Sequence, residues 1–404
     1  MATEESITEE AVQGSSAKVF PKGTVCVALY GATVGRVGVL GIDAATNQAV
    51  CGIFPDDGLL AAYLRYFLFA RRQLLIDSGK GGAQPNISQQ IVRDLQVPLP
   101  SVTRQREIVD QLDEQLSRLD ASVAALHRVQ ANLKRYRASV LKSACEGRLV
   151  PTEAELARQA GRDFETGEQL LQGILAERLD LLSNKRKKKE LSAPAVEGLP
   201  ELPQGWCWAT LESIASVTGG LAKSGSRVAN APMREVPYLR VANVQRGYLD
   251  LSEIKTILAT EKDIADLRLV PGDVLFNEGG DRDKLGRGHV WNGEVPEAIH
   301  QNHVFRARAS QDHVLPQYLS MCGNGYGVDW FSEYATQSVN LASISLSTLR
   351  KFPVALPPLA EQHRIVAEAD RRLSLIRVAE AQVAANLARA QRLRQSILQA
   401  AFSP

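Results

Sequence analysis

The chain has 404 residues, 45% of them hydrophobic, and a formal net charge of +2. That length supports two or more buried cores, and so small a charge decides nothing about phosphate binding, which depends on local clusters of Lys and Arg. With no run of eighteen apolar residues, an acidic and polar start, and five scattered cysteines without a C-x-x-C pair, neither a membrane span, a secretion signal, a zinc site nor a redox couple is expected, and a cytoplasmic protein with small buried thiols is.

Taken from the N-terminus, residues 1–100 read as a mixed α and β domain. Thr24–Leu29 and Val37–Leu40 predict strands around the turn Gly31–Gly35, and a short helix is expected at Tyr63-Leu64. Residues 101–148 change character. Ile108, Leu112, Leu116, Leu119, Val123, Leu126, Val129, Leu133, Tyr136 and Val140 are spaced by threes and fours, the stripe of one long helix that cannot stand alone. Acids dominate its first turns and basic residues its last, as the helix dipole favours.

Residues 149–201 predict a helical and then basic linker, with Asn184–Lys189 either solvated or touching phosphate. A second α and β domain follows over 202–357, with a strand at Asp273–Phe276 before Asn277-Glu278-Gly279-Gly280, another at His289–Trp291 and a short helix at Tyr318-Leu319. A second long helix closes the chain over 358–404, its stripe carried by Ile365, Ala369, Leu373, Ile376, Val383, Leu387, Ala390, Leu393 and Ile397 and interrupted by Glu380 and Asn386.

An internal repeat underlies this order. Val97-Pro98-Leu99-Pro100, Gln105, Ile108 and Val109 reappear 257 residues later as Val354-Ala355-Leu356-Pro357, Gln362, Ile365 and Val366. The two copies are unequal ahead of the repeat. The second domain has about seventy residues, Leu202 to Pro271, before the strand that the first reaches after about twenty, so the first is expected to be incomplete.

No catalytic constellation is visible. There is no G-x-x-x-x-G-K-[ST] for a nucleotide, and neither Gly31–Gly35 nor Gly323–Gly327 has dinucleotide spacing. No cofactor is implied. His289, His300, His303 and His313 lack companion ligands, which favours structural or nucleic-acid-facing roles over metal. What remains suits base edges and phosphates, since Arg forks match guanine, Asn and Gln match adenine, and Lys or backbone N–H groups hold phosphate. The candidates are Arg240, Asn243, Gln245, Arg246, Arg282, Lys284, Arg287, Gln337 and Asn340 in the second domain. In the first they are Arg36, Lys80, Gln84 and Asn86, with Gly79, Gly81 and Gly82 allowing close backbone approach.

The chain resembles the specificity subunits of Type I restriction-modification systems. The residues that carry the resemblance are Leu202-Pro203-Gln204-Gly205-Trp206 with Trp208 and Leu211, Tyr238–Val244, Phe276–Gly280 through Gly286-Arg287, and Leu356–Gln362. It implies an α+β protein with two target-recognition domains, each reading half of a split double-stranded DNA site, separated by long antiparallel coiled-coil helices that dock methyltransferase subunits and, through them, the restriction subunit. Ile108, Leu112, Leu116, Leu119, Ile365, Leu373, Ile376 and Leu393 would then face the partner. On this reading the chain is not itself an enzyme. Self-pairing through the long helices is a further expectation, and the rival is an assembly or decoy subunit that binds the methyltransferase without full target recognition.

Overall fold

The computed structural model describes residues 6–79, 86–183, 198–222, 232–280, 284–337 and 342–403. It divides into two compact units: unit 1 combines residues 1–131 with 380–404, and unit 2 comprises 132–379.

Unit 1 opens with α1 (Glu9–Gln13), β1 (Val19–Phe20), β2 (Val25–Ala28), β3 (Val37–Val39), β4 (Ala44–Ala45) and β5 (Val50–Ile53). Then come α2 (Ala61–Ala70), α3 (Arg72–Asp77), α4 (Gln89–Arg93) and the first turns of the long α5 (Val102–Cys145). The β-branched runs read from the sequence form an antiparallel sheet in the order β3-β2-β5, with Val25 opposite Val39 on one side and Ile53 on the other. Val25 and Val27 point from it into a core with Tyr63, Phe67 and Leu68 of α2.

Unit 2 begins within α5 and continues through α6 (Glu153–Ala160), α7 (Gly167–Ser183), β6 (Cys207–Thr210), α8 (Leu211–Ile214), β7 (Ala215–Thr218), β8 (Met233–Leu239), β9 (Val244–Gln245), β10 (Tyr248–Leu249) and β11 (Lys255–Thr260). After α9 (Glu261–Leu267) follow β12 (Val274–Asn277), β13 (Gly279–Gly280), β14 (Gly288–Val290), β15 (Ile299–His300), β16 (Val304–Ala309), α10 (Pro316–Asn324) and α11 (Gly327–Glu333). The last elements are β17 (Thr336–Gln337), β18 (Ala342–Ser343), α12 (Leu346–Arg350), β19 (Pro353–Leu356) and α13 (Leu359–Ala401), whose final turns lie in unit 1. The central sheet runs β14-β12-β16-β7, and β8 joins β11 and β15 in a second one. Both predicted long helices are present.

The stripes on those helices are buried or half-buried inside the chain except at Val129, Tyr136 and Leu393. In unit 1, Leu112 and Leu116 are buried in one core with Tyr66, Phe67, Leu398 and Phe402, and Ile108 and Leu119 pack against it. In unit 2, Ile365 and Ile376 are buried with Val140, Leu141 and Ala144 of α5, and Leu373 packs against them. Of the predicted partner-facing residues only Leu393 stays exposed, at 48%.

Residues 149–178 are part of unit 2's body. Leu170 and Ile174 are buried in its core, and Glu153 is held by Arg162 and by Arg364. Thr152 caps α6 in a reciprocal capping box with Glu155. The basic run Asn184–Lys189 lies outside the described residues.

One polar device recurs in both units. Gln105, fully buried, accepts the Leu60 N–H at 2.9 Å and donates to the Gly58 and Pro100 carbonyls at 2.8 and 2.9 Å. Gln362, fully buried too, accepts the Leu315 N–H at 2.9 Å and donates to the His313 and Pro357 carbonyls at 3.1 and 3.2 Å. Removing either amide strands a donor and two acceptors, each costing about 1–3 kcal/mol when buried unpaired. Gln362→Leu is therefore expected to lower the stability of unit 2 by about 3 kcal/mol or more. All four tryptophans lie in unit 2, so urea unfolding followed by tryptophan fluorescence measures it directly; an unchanged transition would refute the role given to Gln362.

Candidate nucleic-acid interface

The loops with candidate DNA-reading residues in unit 2 are fastened by buried asparagines. Asn277 ends β12 fully buried, and its amide donates to the Val241 and Val244 carbonyls at 3.2 and 2.8 Å. Its backbone N–H reaches the Arg287 carbonyl at 3.0 Å. One residue thereby ties residues 240–247 to Arg287. Asn324, at the end of α10, donates to and accepts from the backbone of Gly288, at 2.7 and 3.1 Å, and the Gly247 N–H closes on the Gly288 carbonyl. Gly286 is required in that turn: its φ is +59°, and a Cβ would stand 1.9 Å from the Phe331 ring.

This frame sorts the sequence candidates. Asn243 is 2% exposed, and its side chain accepts the Arg240 N–H and donates to the Asp250 and Glu253 carbonyls. With both amide hydrogens and one oxygen lone pair engaged by the backbone, the buried Asn243 shapes the loop. Arg240 is half-buried and paired with Glu253 at 3.1 Å. Gln245 donates to the Ala242 carbonyl at 2.6 Å, and Arg246 to that of Asn324 at 3.4 Å. Lys284 and Arg287 lie partly exposed on the tethered turn. Arg36 is exposed ahead of β3 in unit 1, and Asn86 is exposed as well. Arg282, Asn340, Lys80 and Gln84 lie outside the described residues, as do Gly81 and Gly82, and the side chain of Gln337 is not described. The structure thus brings together Gln245, Arg246, Lys284 and Arg287 on two loops joined through Asn277.

Glu278 and His303 join this rim without having been read as one group. The His303 ring is hydrogen-bonded to the Glu278 carboxylate, and the Glu278 N–H donates to the His303 carbonyl at 3.0 Å. Only the Asn277–Gly280 motif hinted at Glu278, because β12 and β16 are brought side by side by sheet pairing alone. Among the described residues no three His, Cys, Asp or Glu side chains are grouped to hold a metal.

His300 is a structural residue. It is fully buried, with Nδ1 2.6 Å from the Val304 carbonyl, and burial pushes its pKa down to about 4 against the stabilising pull of that carbonyl. An unfolded chain takes up the proton near 6.5, whereas the folded one resists it to about 4. This contribution is present above pH 6.5 and is lost as pH falls through that window. Unit 2 is expected to be about 2 kcal/mol less stable at pH 5 than at pH 7 from this group. Tryptophan-monitored denaturation of the wild-type chain and of His300→Gln at both pH values checks this, and an equal pH dependence in the two chains would contradict it.

Comparison with known proteins bears on this arrangement. Residues 1–133 match the family model of the Type I restriction modification DNA specificity domain. The EcoKI specificity subunit of Escherichia coli K12 is 25% identical over 371 residues, covering 88% of this chain and 68% of that protein. The EcoBI specificity subunit of Escherichia coli is 25% identical over 366 residues, 89% of this chain and 69% of that protein. A solved chain, described under the structural basis of complex assembly and conformational transition of the type I R-M system, has a TM-score of 0.62 at 20% identity, covering 96% of this chain and 84% of that one. It shares the fold.

Proposed function

We propose that this chain, which belongs to the family of Type I restriction enzyme specificity subunits, is a non-catalytic subunit that reads DNA sequence and directs methyltransferase and restriction subunits to the site. The observation that carries the reading is the pair of loops locked together by Asn277. Asn277 and Asn324 tie their frame, and their partly exposed positions are Gln245, Arg246, Lys284 and Arg287. A rigid frame with interchangeable polar side chains is what base readout requires, because bidentate contacts discriminate only when their backbone does not move. Phosphate contacts from the same Arg and Lys residues would set register.

Mapping modified bases in cells that carry this chain and its methyltransferase tests the proposal. A split motif is expected, and Arg246→Ala with Lys284→Ala should reduce its modification tenfold or more, the cost of one or two lost contacts at about 1–3 kcal/mol each. A palindromic motif would support pairing of two copies. No modified motif would favour an assembly subunit that does not read DNA.

A partner surface away from the buried stripes fits this reading. On α13 in unit 2, Arg371, Leu375 and Val378 recur at helical spacing along one face, and Leu375 and Val378 are 60% and 67% exposed. Two large apolar side chains held in water on the face of a helix favour contact with a second helix. Leu375→Asp with Val378→Asp should leave unit 2 folded, by tryptophan fluorescence, yet abolish co-purification with the methyltransferase subunit. Retained co-purification would remove this face from the docking assignment.

A further inference from the structure

A carboxylate stands on the rim that Arg246, Lys284 and Arg287 otherwise make cationic. Glu278 follows Asn277, which is bonded to the Val241 and Val244 carbonyls, and its own backbone is pinned on both sides. Its N–H donates to the His303 carbonyl at 3.0 Å, and its carbonyl accepts the Ile344 N–H at 2.8 Å. Gly279 and Gly280 then pair with Ser343 and Ala342. The approach is close: a Cβ on Gly279 would stand 2.8 Å from the Ala342 carbonyl, and one on Gly280 3.3 Å from the Lys284 side chain. Lys284 therefore lies against the glycine pair next to Glu278.

The Glu278 side chain is oriented as well. Its Oε2 is hydrogen-bonded to His303 Nδ1, and Asn302 Nδ2 stands 3.3 Å from His303 Nε2. With the Asn302 amide donating to Nε2, Nδ1 carries the ring hydrogen and donates it to Glu278. The other oxygen, Oε1, has no hydrogen-bond or ion-pair partner among the described residues, and the side chain is 28% exposed. One oxygen is fixed and the other is an unoccupied acceptor on a rigid frame.

An acidic group facing DNA is repelled by every phosphate near it, and guanine O6 and N7 and thymine O4, acceptors themselves, add to the repulsion. The major-groove groups that reward a carboxylate are the exocyclic amines, cytosine N4 and adenine N6. We propose, resting on the DNA-reading function inferred above, that Glu278 reads one base pair by accepting a hydrogen bond from such an amine through Oε1. His303 is then a positioning residue: it holds the carboxylate and touches no base through that bond. The same acidic side chain disfavours an acceptor at that place, so it selects as much by repulsion as by attraction.

Motif mapping in cells that carry the chain and its methyltransferase locates the pair. Glu278→Ala is expected to relax one position of the motif by about fivefold or more while the other positions keep their preference. His303→Ala should relax the same position, and His303→Gln, whose amide can still donate to the carboxylate, should restore it. Binding of the purified chain with its methyltransferase to labelled duplexes of the motif, read by fluorescence anisotropy, then removes the amine itself, with purine in place of adenine or pyrimidin-2-one in place of cytosine. At the relaxed pair the wild type should lose about fivefold or more in affinity and Glu278→Ala less than about twofold. The identity of that pair tells the two amines apart. A folded Glu278→Ala chain, checked by tryptophan fluorescence, that keeps every position or loses all of them equally would overturn the assignment, as would equal losses in the two chains on the amine-free duplex. So would a wild type that binds amine-free duplexes unchanged at every position, however the variants fold. A wild-type chain with no motif at all would instead overturn the DNA-reading function itself.

Discussion

The buried glutamine at the start of each long helix is the constraint on which the rest of each unit depends. Gln105 and Gln362 each satisfy three backbone groups that would otherwise be stranded: the N–H of the residue that begins α2 or α10, a carbonyl just before that helix, and the carbonyl of the proline five residues upstream. Neighbouring tyrosines repeat the tie, with Tyr63 donating to the Pro98 carbonyl and Tyr318 to that of Ala355. A polar side chain in a core is tolerated only when fully bonded, and then it admits a single arrangement of the elements it joins.

Unit 2 adds further buried polar ties around the same core. Glu361, next to Gln362, accepts the Trp206 indole N–H at 3.0 Å and the Glu153 N–H at 2.8 Å, while burial pushes its carboxyl pKa up. These bonds hold residues 149–178 and the opening of the second domain on the first turns of α13, so that a stretch composed like a linker is folded. Asn277 and Asn324 do for the outer loops what Gln362 does for the helices. Rigidity is built outward, from apolar core to bonded frame to rim, and variable side chains are confined to the last layer.

Periodicity made the architecture legible because burial acts on each element separately. A stripe at threes and fours demands a long helix whatever covers it, and β-branched runs bounded by glycine demand strands wherever they pair. The strands Val25–Ala28 and Val37–Val39, the helices at Tyr63 and Tyr318 and both long helices follow from local pattern. The stripe did not say what would cover it. Leu112, Leu116, Ile365 and Ile376 are buried within the chain, whereas Val129, Tyr136 and Leu393 of the same stripes, and Leu375 and Val378 outside them, stay exposed.

Residue type determined that the rim would hold Arg, Lys, Gln and Asn, and the constant offset between the copies determined that their frames would match. Only the tertiary structure separated the two kinds of polar residue. Asn243 and Gln245 are two positions apart in one loop and equally suited to an adenine edge, yet the first is buried with its amide hydrogens engaged by the backbone and the second remains partly exposed. A side chain's chemistry is written in the sequence. Its availability depends on which backbone groups the fold leaves unpaired beside it, and that is set by contacts between residues far apart in the chain.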